Sequence, residues 1–140
     1  MRRLVAAATL SVALVSACSD STGPSTIFGT YTLATINGSA LPQVVDSDPT
    51  TGATLEVTAG TVIVSQDGTF SDRTDFRLTE SGQVTTGSET ATGAWNRSGD
   101  VITFTPNDGT TPYSMTIGNR TLTQDFVDQS AQHFILVYRR

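Results

Sequence analysis

The chain has no lysine, one histidine and one cysteine, and beyond residue 15 no apolar run longer than a single strand. Each shortage closes off a class of protein. A lone cysteine excludes a disulfide within the chain, so the fold must stand on its core. One histidine and one cysteine exclude the usual zinc ligand sets, and no metal site is expected. His133 could act as a catalytic base only beside a nucleophile and an orienting acid, and no motif supplies them. The chain is therefore expected to be no enzyme and to need no cofactor. A formal charge of −5 without any basic run argues against nucleic acid and against electrostatic adhesion to anionic lipid. The i, i+3, i+4, i+7 pattern of a helix is missing after the first seventeen residues.

What is present begins with an address. Arg2 and Arg3 precede an apolar run from Leu4 to Val15, too short for the roughly 20 residues a membrane span needs. The run ends in Val15-Ser16-Ala17-Cys18, which resembles the lipobox of bacterial lipoprotein precursors. The resemblance implies that residues 1–17 are a signal peptide and that Cys18 becomes a lipidated N-terminus. Removal of residues 1–17 leaves six arginines against thirteen acidic residues, a net charge of −7. The membrane partner would then be reached through lipid rather than charge. Ser19 stands where an aspartate retains such lipoproteins at the inner membrane of enteric bacteria. The expected location is thus the outer membrane, facing the periplasm. Residues 18–25 read as a short polar tether, and 26–140 as one domain, monomeric in expectation.

Within that domain the stretch from Ile27 to Pro42 sets the plan. Tyr31 and Leu33 share one face of an extended segment, and Asn37-Gly38 supplies the dipeptide of a tight hairpin. The pattern recurs. Leu55 and Val57 alternate with polar residues, Gly60 reads as a turn, and Val62 and Val64 resume the inward face. Gln66-Asp67-Gly68, Ser98-Gly99-Asp100, Asn107-Asp108-Gly109 and Gly118-Asn119 are further turns. On the strand after Gly68, Asp72 and Thr74 share parity with Phe70, Phe76 and Leu78, which reads as a bulge or a run beyond the core. Leu41 to Thr51, with two prolines, reads as a loop or irregular edge. Glu80 to Thr92 reads as a polar edge strand or a long mobile hairpin. Phe134, Leu136 and Tyr138 mark the most apolar strand, the natural partner of the first. The expectation is an all-β fold: a single antiparallel up-and-down β-barrel of about eight to ten strands, closed by its first and last.

Short pieces spread over the domain carry a further resemblance: G-T-Y-T-L at 29–33, I-N-G at 36–38, L-P at 41–42, D-G-T-F at 67–70, T-G-A-W at 92–95 and S-G-D-V-I-T-F at 98–104. They are similar to small bacterial lipocalin-like, calycin-type lipoproteins. In lipocalins the aromatic of G-x-W sits at the closed end of the barrel. Matching it to Gly29-Thr30-Tyr31 puts tyrosine where tryptophan is usual. The opening also resembles the heat-shock-type lipoprotein domain, whose later G-C-N motif this chain lacks.

The resemblance implies an envelope lipoprotein that binds a small apolar ligand. The alternative is a structural or protein-interaction module with a filled barrel. The aromatics Tyr31, Phe70, Phe76, Trp95, Phe104, Phe126 and Phe134 serve either reading, since a small barrel is just wide enough for side chains to fill. If a pocket exists, it is expected to be shallow and near the open end, with Tyr31, Phe70, Trp95 and Phe104 as ligand-binding residues. Asp72 and Asp75, with Arg73 and Arg77, could serve a hydrolase as paired carboxylates, but read more simply as a solvated, ion-paired face. The oxygen-rich Asp46-Ser47-Asp48 and Asn107-Asp108-Gly109 lack the ligand count of a calcium loop. The Asn37, Asn96 and Asn119 sequons fall where turns are wanted.

Overall fold

A computed structural model describes residues 26–140, so the lipobox and Cys18 lie outside the described residues. Among the described residues ten strands and no helix follow one another: β1 (Gly29–Ile36), β2 (Ser39–Ala40), β3 (Gln43–Ser47), β4 (Thr54–Val64), β5 (Thr69–Glu80), β6 (Gln83–Ser98), β7 (Val101–Pro106), β8 (Tyr113–Ile117), β9 (Thr121–Val127) and β10 (His133–Arg139). From β4 to β10 each strand pairs antiparallel with the next. The sheet closes because β1 pairs with β10 on one side and β4 on the other. Eight strands thus form an up-and-down barrel, and β2 and β3 are additions to its rim. Closure between the first strand and the last is the seam the apolar pattern of residues 134–138 predicts.

Three bulges let the apolar residues stay inside although their spacing changes. The registers skip Ala34 in β1, Val45 in β3 and Thr58 in β4. Each skip flips the alternation by one residue. In β1 the inward positions move from Tyr31 and Leu33 to Ile36, and in β4 from the half-buried Leu55 and Val57 to the buried Gly60, Val62 and Val64. Gly60 is therefore not the turn its identity suggests. It lies buried inside β4, where a Cβ would come 2.9 Å from that of Leu33. Gly93 is tighter still, with Phe70 and the β7 backbone against its α-carbon. Strand β5 runs unbroken from 69 to 80, so the bulge belongs to its partner β4 and Asp72 stays on the inner face.

One end of the barrel is sealed. Ile27, Tyr31, Val64, Phe70 and Phe104 are buried there, and the Tyr31 hydroxyl donates to the Ile27 carbonyl at 2.9 Å. Arg140 lies over the Tyr31 ring, its carbon Cζ 5.5 Å from the centroid, and donates to the carbonyls of Thr26 and Phe28. Burial raises the Tyr31 pKa, and the Arg140 charge partly opposes the rise. The residues preceding the barrel thus enter at this end. The turn Ser65–Gly68 is held there too, by Trp95, whose indole Nε1 donates to the Ser65 carbonyl at 2.9 Å.

Toward the other end the wall is uneven. Strands β1 and β4 pair only between Gly29–Thr32 and Thr61–Val64, and beyond that they splay. The rim strand β3 then occupies the edge of β4 from Thr54 to Val57. The β5–β6 hairpin stands tall beside the short β7 and β8. Above Gly93, β6 pairs with β5 alone, which makes the Glu80–Thr92 segment a polar edge strand.

Candidate functional site

The splay and the uneven wall leave a cup at the open end, built of three adjoining hollows. The first, about 290 Å³, lies in the splayed seam between Ile36, Val45, Leu55, Val57, Phe134 and Leu136, with Phe126, Asp46 and Asp128 at its rim. Leu55 and Val57 also wall a second hollow of about 280 Å³, completed by Phe76, Thr74 and Glu89. Thr74 and Glu89 pass into a third of about 230 Å³, whose other walls are Asp72, Ala91, Tyr113 and Gln124. One arm of the cup is aliphatic and aromatic, and the other is polar and acidic. Apolar walls with a few convergent polar groups are the usual make-up of a small-molecule site.

The strands explain each position. Asp72 and Thr74 alternate with the outward Arg73 and Asp75 on an unbroken β5. Glu89 faces inward because it pairs with Thr74 across the β5–β6 ladder. Gly87 stands opposite Phe76 and carries no side chain, so the tip of the Phe76 ring takes the space a Cβ there would need. Phe126 and Phe134 are directly paired on β9 and β10 and stack with centroids 5.5 Å apart, which holds the aromatic part of the rim.

Asp72 is a partly buried carboxylate of the cup. The Tyr113 hydroxyl donates to its Oδ2 at 2.6 Å. Burial raises the Asp72 pKa, and the Tyr113 bond opposes that rise only in part. Tyr113 and Tyr138 are both pushed above the ordinary tyrosine range, first by burial and then by the Asp72 charge. Among the described residues Asp72 Oδ1 has no hydrogen-bond partner. It is not among the sealed polar atoms either, so it opens into the cup. A carboxylate shifted by burial inside a cleft is a mark of a functional position. Beneath it Tyr113 rests on Phe104, centroids 5.2 Å apart, and Phe104 on Phe70 at 4.8 Å. These rings close the floor of the cup.

The four aromatics expected to bind ligand are brought together, but below the cup. Tyr31, Phe70 and Phe104 belong to the buried core and fill the lower barrel. Trp95 lies at the sealed end against Phe28, centroids 5.9 Å apart, and not beside an open-end pocket. The physical reason is the run of β6, which carries residue 95 down to the Ser65–Gly68 turn while Glu89 and Ala91 stand at the mouth. The supposed pair Asp72 and Asp75 sits on opposite faces of one strand. Asp75 is outside, bonded to Arg73 at 2.7 Å, and Glu56 pairs with Arg77 at 2.5 Å. Only these outer residues are the ion-paired face the sequence suggests. His133 is also outside, exposed and 2.6 Å from Asp125.

Asp48 and Asp108 serve turns, accepting from Thr50 and Thr110 amides, and these bonds lower their pKa values. Among the described residues no cluster of three metal-ligating side chains occurs. The signal that marks the cup in the sequence is the parity of Asp72 and Thr74, in phase with Phe70 and Phe76. No family model, curated protein or solved structure matches the chain, so fold and site geometry carry the functional reading alone.

Proposed function

We propose that this protein is a cell-envelope lipoprotein that binds a small apolar molecule in the open end of its barrel. The observation that carries the reading is the cup itself. A closed barrel of this size can be filled throughout. Here the lower half is filled and the upper half is not, with Phe126 left 37% exposed at the rim. The lipobox supports anchoring through Cys18, and the lipocalin-like pattern supports a carrier of small molecules. Because the chain enters the barrel at the sealed end, a tether of residues 18–25 would present the cup away from the membrane. The role proposed for the cup is binding, with Asp72 and Glu89 as its polar groups. Native mass spectrometry of protein purified from its own host tests the reading. A co-purifying lipophilic molecule, lost when Leu55 and Leu136 are changed to glutamine, is the expected result; an empty protein opposes it.

One observation favours the interaction-module alternative. The Thr92 carbonyl accepts from the Asn107 amide on the β7 side of β6. By alternation Thr90, Ser88, Thr86 and Val84 turn their own amides and carbonyls to that side, where no strand among the described residues pairs with them. Such an edge can take an added strand from another protein. Crosslinked envelope partners that disappear with Thr86→Pro, from a protein that carries no small molecule, would favour this alternative.

A further inference from the structure

The cup has a sign as well as a shape. Its apolar arm is rimmed by Asp46 and Asp128, and its polar arm holds Glu89 and Asp72. Among the described residues no arginine lines any of the three hollows, and the chain has no lysine to supply another cation. The described arginines are elsewhere. Arg97 and Arg120 stand at the turns of the sealed end and Arg139 and Arg140 at the end of β10, while Arg73 and Arg77 are held on the outer wall by Asp75 and Glu56. The only histidine is outside, on Asp125. Asp72, Glu89 and Asp46 therefore stand at one small cavity, with Asp128 at its rim bonded to the Ser130 and Gln132 amides, and among the described residues no positive side chain lines it.

We propose that the ligand of this cup is an amphiphilic amine: an apolar tail for the Leu55–Leu136 arm and a protonated nitrogen for the Asp72–Glu89 arm. The inference rests on the proposed binding function and names the ligand class for it. The two arms adjoin through shared walls, Leu55 and Val57 on one side and Thr74 and Glu89 on the other. A single molecule can thus lie across both. An anionic amphiphile such as a fatty acid is disfavoured by the same carboxylates. A neutral one leaves Asp72 Oδ1 without a cationic partner in a partly desolvated place, where charge interactions are stronger than in water. Among the described residues Asp72 accepts one bond, from Tyr113, and its second oxygen can take a further hydrogen-bond donor, best a charged one. A primary ammonium satisfies it, and a quaternary ammonium does not.

The test uses the full chain with Cys18→Ser, so that no lipid competes. The uncharged fluorophore N-phenyl-1-naphthylamine reports on the cup, and four probes of equal tail length compete with it: dodecylamine, dodecyltrimethylammonium, dodecanol and dodecanoate, each below its micelle concentration. Dodecylamine is expected to displace the fluorophore at a concentration at least tenfold below dodecanoate, with the other two between. The gap should narrow with added salt. It should close in the double variant Asp72→Asn, Glu89→Gln, with dodecanol unchanged. Equal displacement by amine and acid, or a preference for the acid, overturns the cationic ligand and leaves the cup as an apolar site. Failure of the fluorophore and of every competitor to bind overturns the binding function and this inference with it.

Discussion

Changing Gly60 to alanine adds one methyl group, and the inner wall has no room for it. The new Cβ would stand 2.9 Å from Leu33 Cβ and 3.0 Å from its Cδ2. Carbon atoms in contact prefer about 3.5–4.0 Å, so the pair is short by more than half an ångström. Leu33 is 4% exposed and held between β10 and the core, so it cannot swing into solvent. Overpacking of this kind costs about 1–3 kcal/mol. Alanine recovers part of that, about 0.5–1 kcal/mol, because glycine weakens a strand. A net loss of about 1–2 kcal/mol is expected, a fall in Tm of roughly 4–10 °C for a domain of this size. Thermal unfolding followed by circular dichroism reads it. The decisive comparison is made in a Leu33→Ala background, where the space is vacant. There Gly60→Ala should be neutral or stabilising, a coupling of about 1–3 kcal/mol. If Gly60→Ala is as stable as the parent, or if the two changes simply add, Gly60 does not pack on Leu33 and the bulge at Thr58 is misplaced.

Other consequences are equally direct. Burial raises the Asp72 pKa, so the folded protein binds that proton more tightly than the unfolded chain. The associated stability is full below the unfolded value near 3.8 and is lost as pH rises through the raised one. Asp72→Asn should therefore raise Tm at pH 7 and have a smaller effect near pH 3; calorimetry showing the reverse order would refute the burial. Trp95→Ala should destabilise by up to about 3 kcal/mol, since the side chain is half-buried, yet leave fluorophore affinity in the cup unchanged. An affinity lost in step with Trp95 would return the ligand to the sealed end. Metabolic labelling with a fatty-acid probe should mark the parent and not Cys18→Ser; equal labelling of both would end the lipoprotein reading.

The barrel was legible because it depends on local signals that repeat. Turn dipeptides such as Asn37-Gly38 and Asp67-Gly68 and the inward run Phe134, Leu136, Tyr138 each specify their own strand ends or faces. The bulges were not legible. A skipped residue at Ala34 or Thr58 inverts parity without any local signature, and Gly60, one residue from such a shift, imitates a turn. The cup was hidden for a related reason. Its walls come from β1, β3, β4, β5, β6, β8, β9 and β10, and the hollow arises where β1 and β4 stop pairing, which no single stretch records. Asp72 was visible as a polar residue in phase with the core. Neighbouring Arg73, Asp75 and Arg77 disguised it as part of a solvated face. Aromatic identity pointed only part of the way: Phe76, Phe126 and Phe134 do wall the cup, but Tyr31, Phe70 and Phe104 fill the floor, and aliphatic Ile36, Leu55, Val57 and Leu136 share the apolar wall.

The most direct test of the central claim is amide chemical-shift mapping during titration with N-phenyl-1-naphthylamine. Saturable shifts are expected at Ile36, Leu55, Val57, Phe76, Phe134 and Leu136, all around the open end, with Tyr31, Trp95 and Arg140 at the sealed end unmoved. Shifts centred on the sealed end, or none at concentrations that saturate other small barrels, would contradict the cup as the binding site.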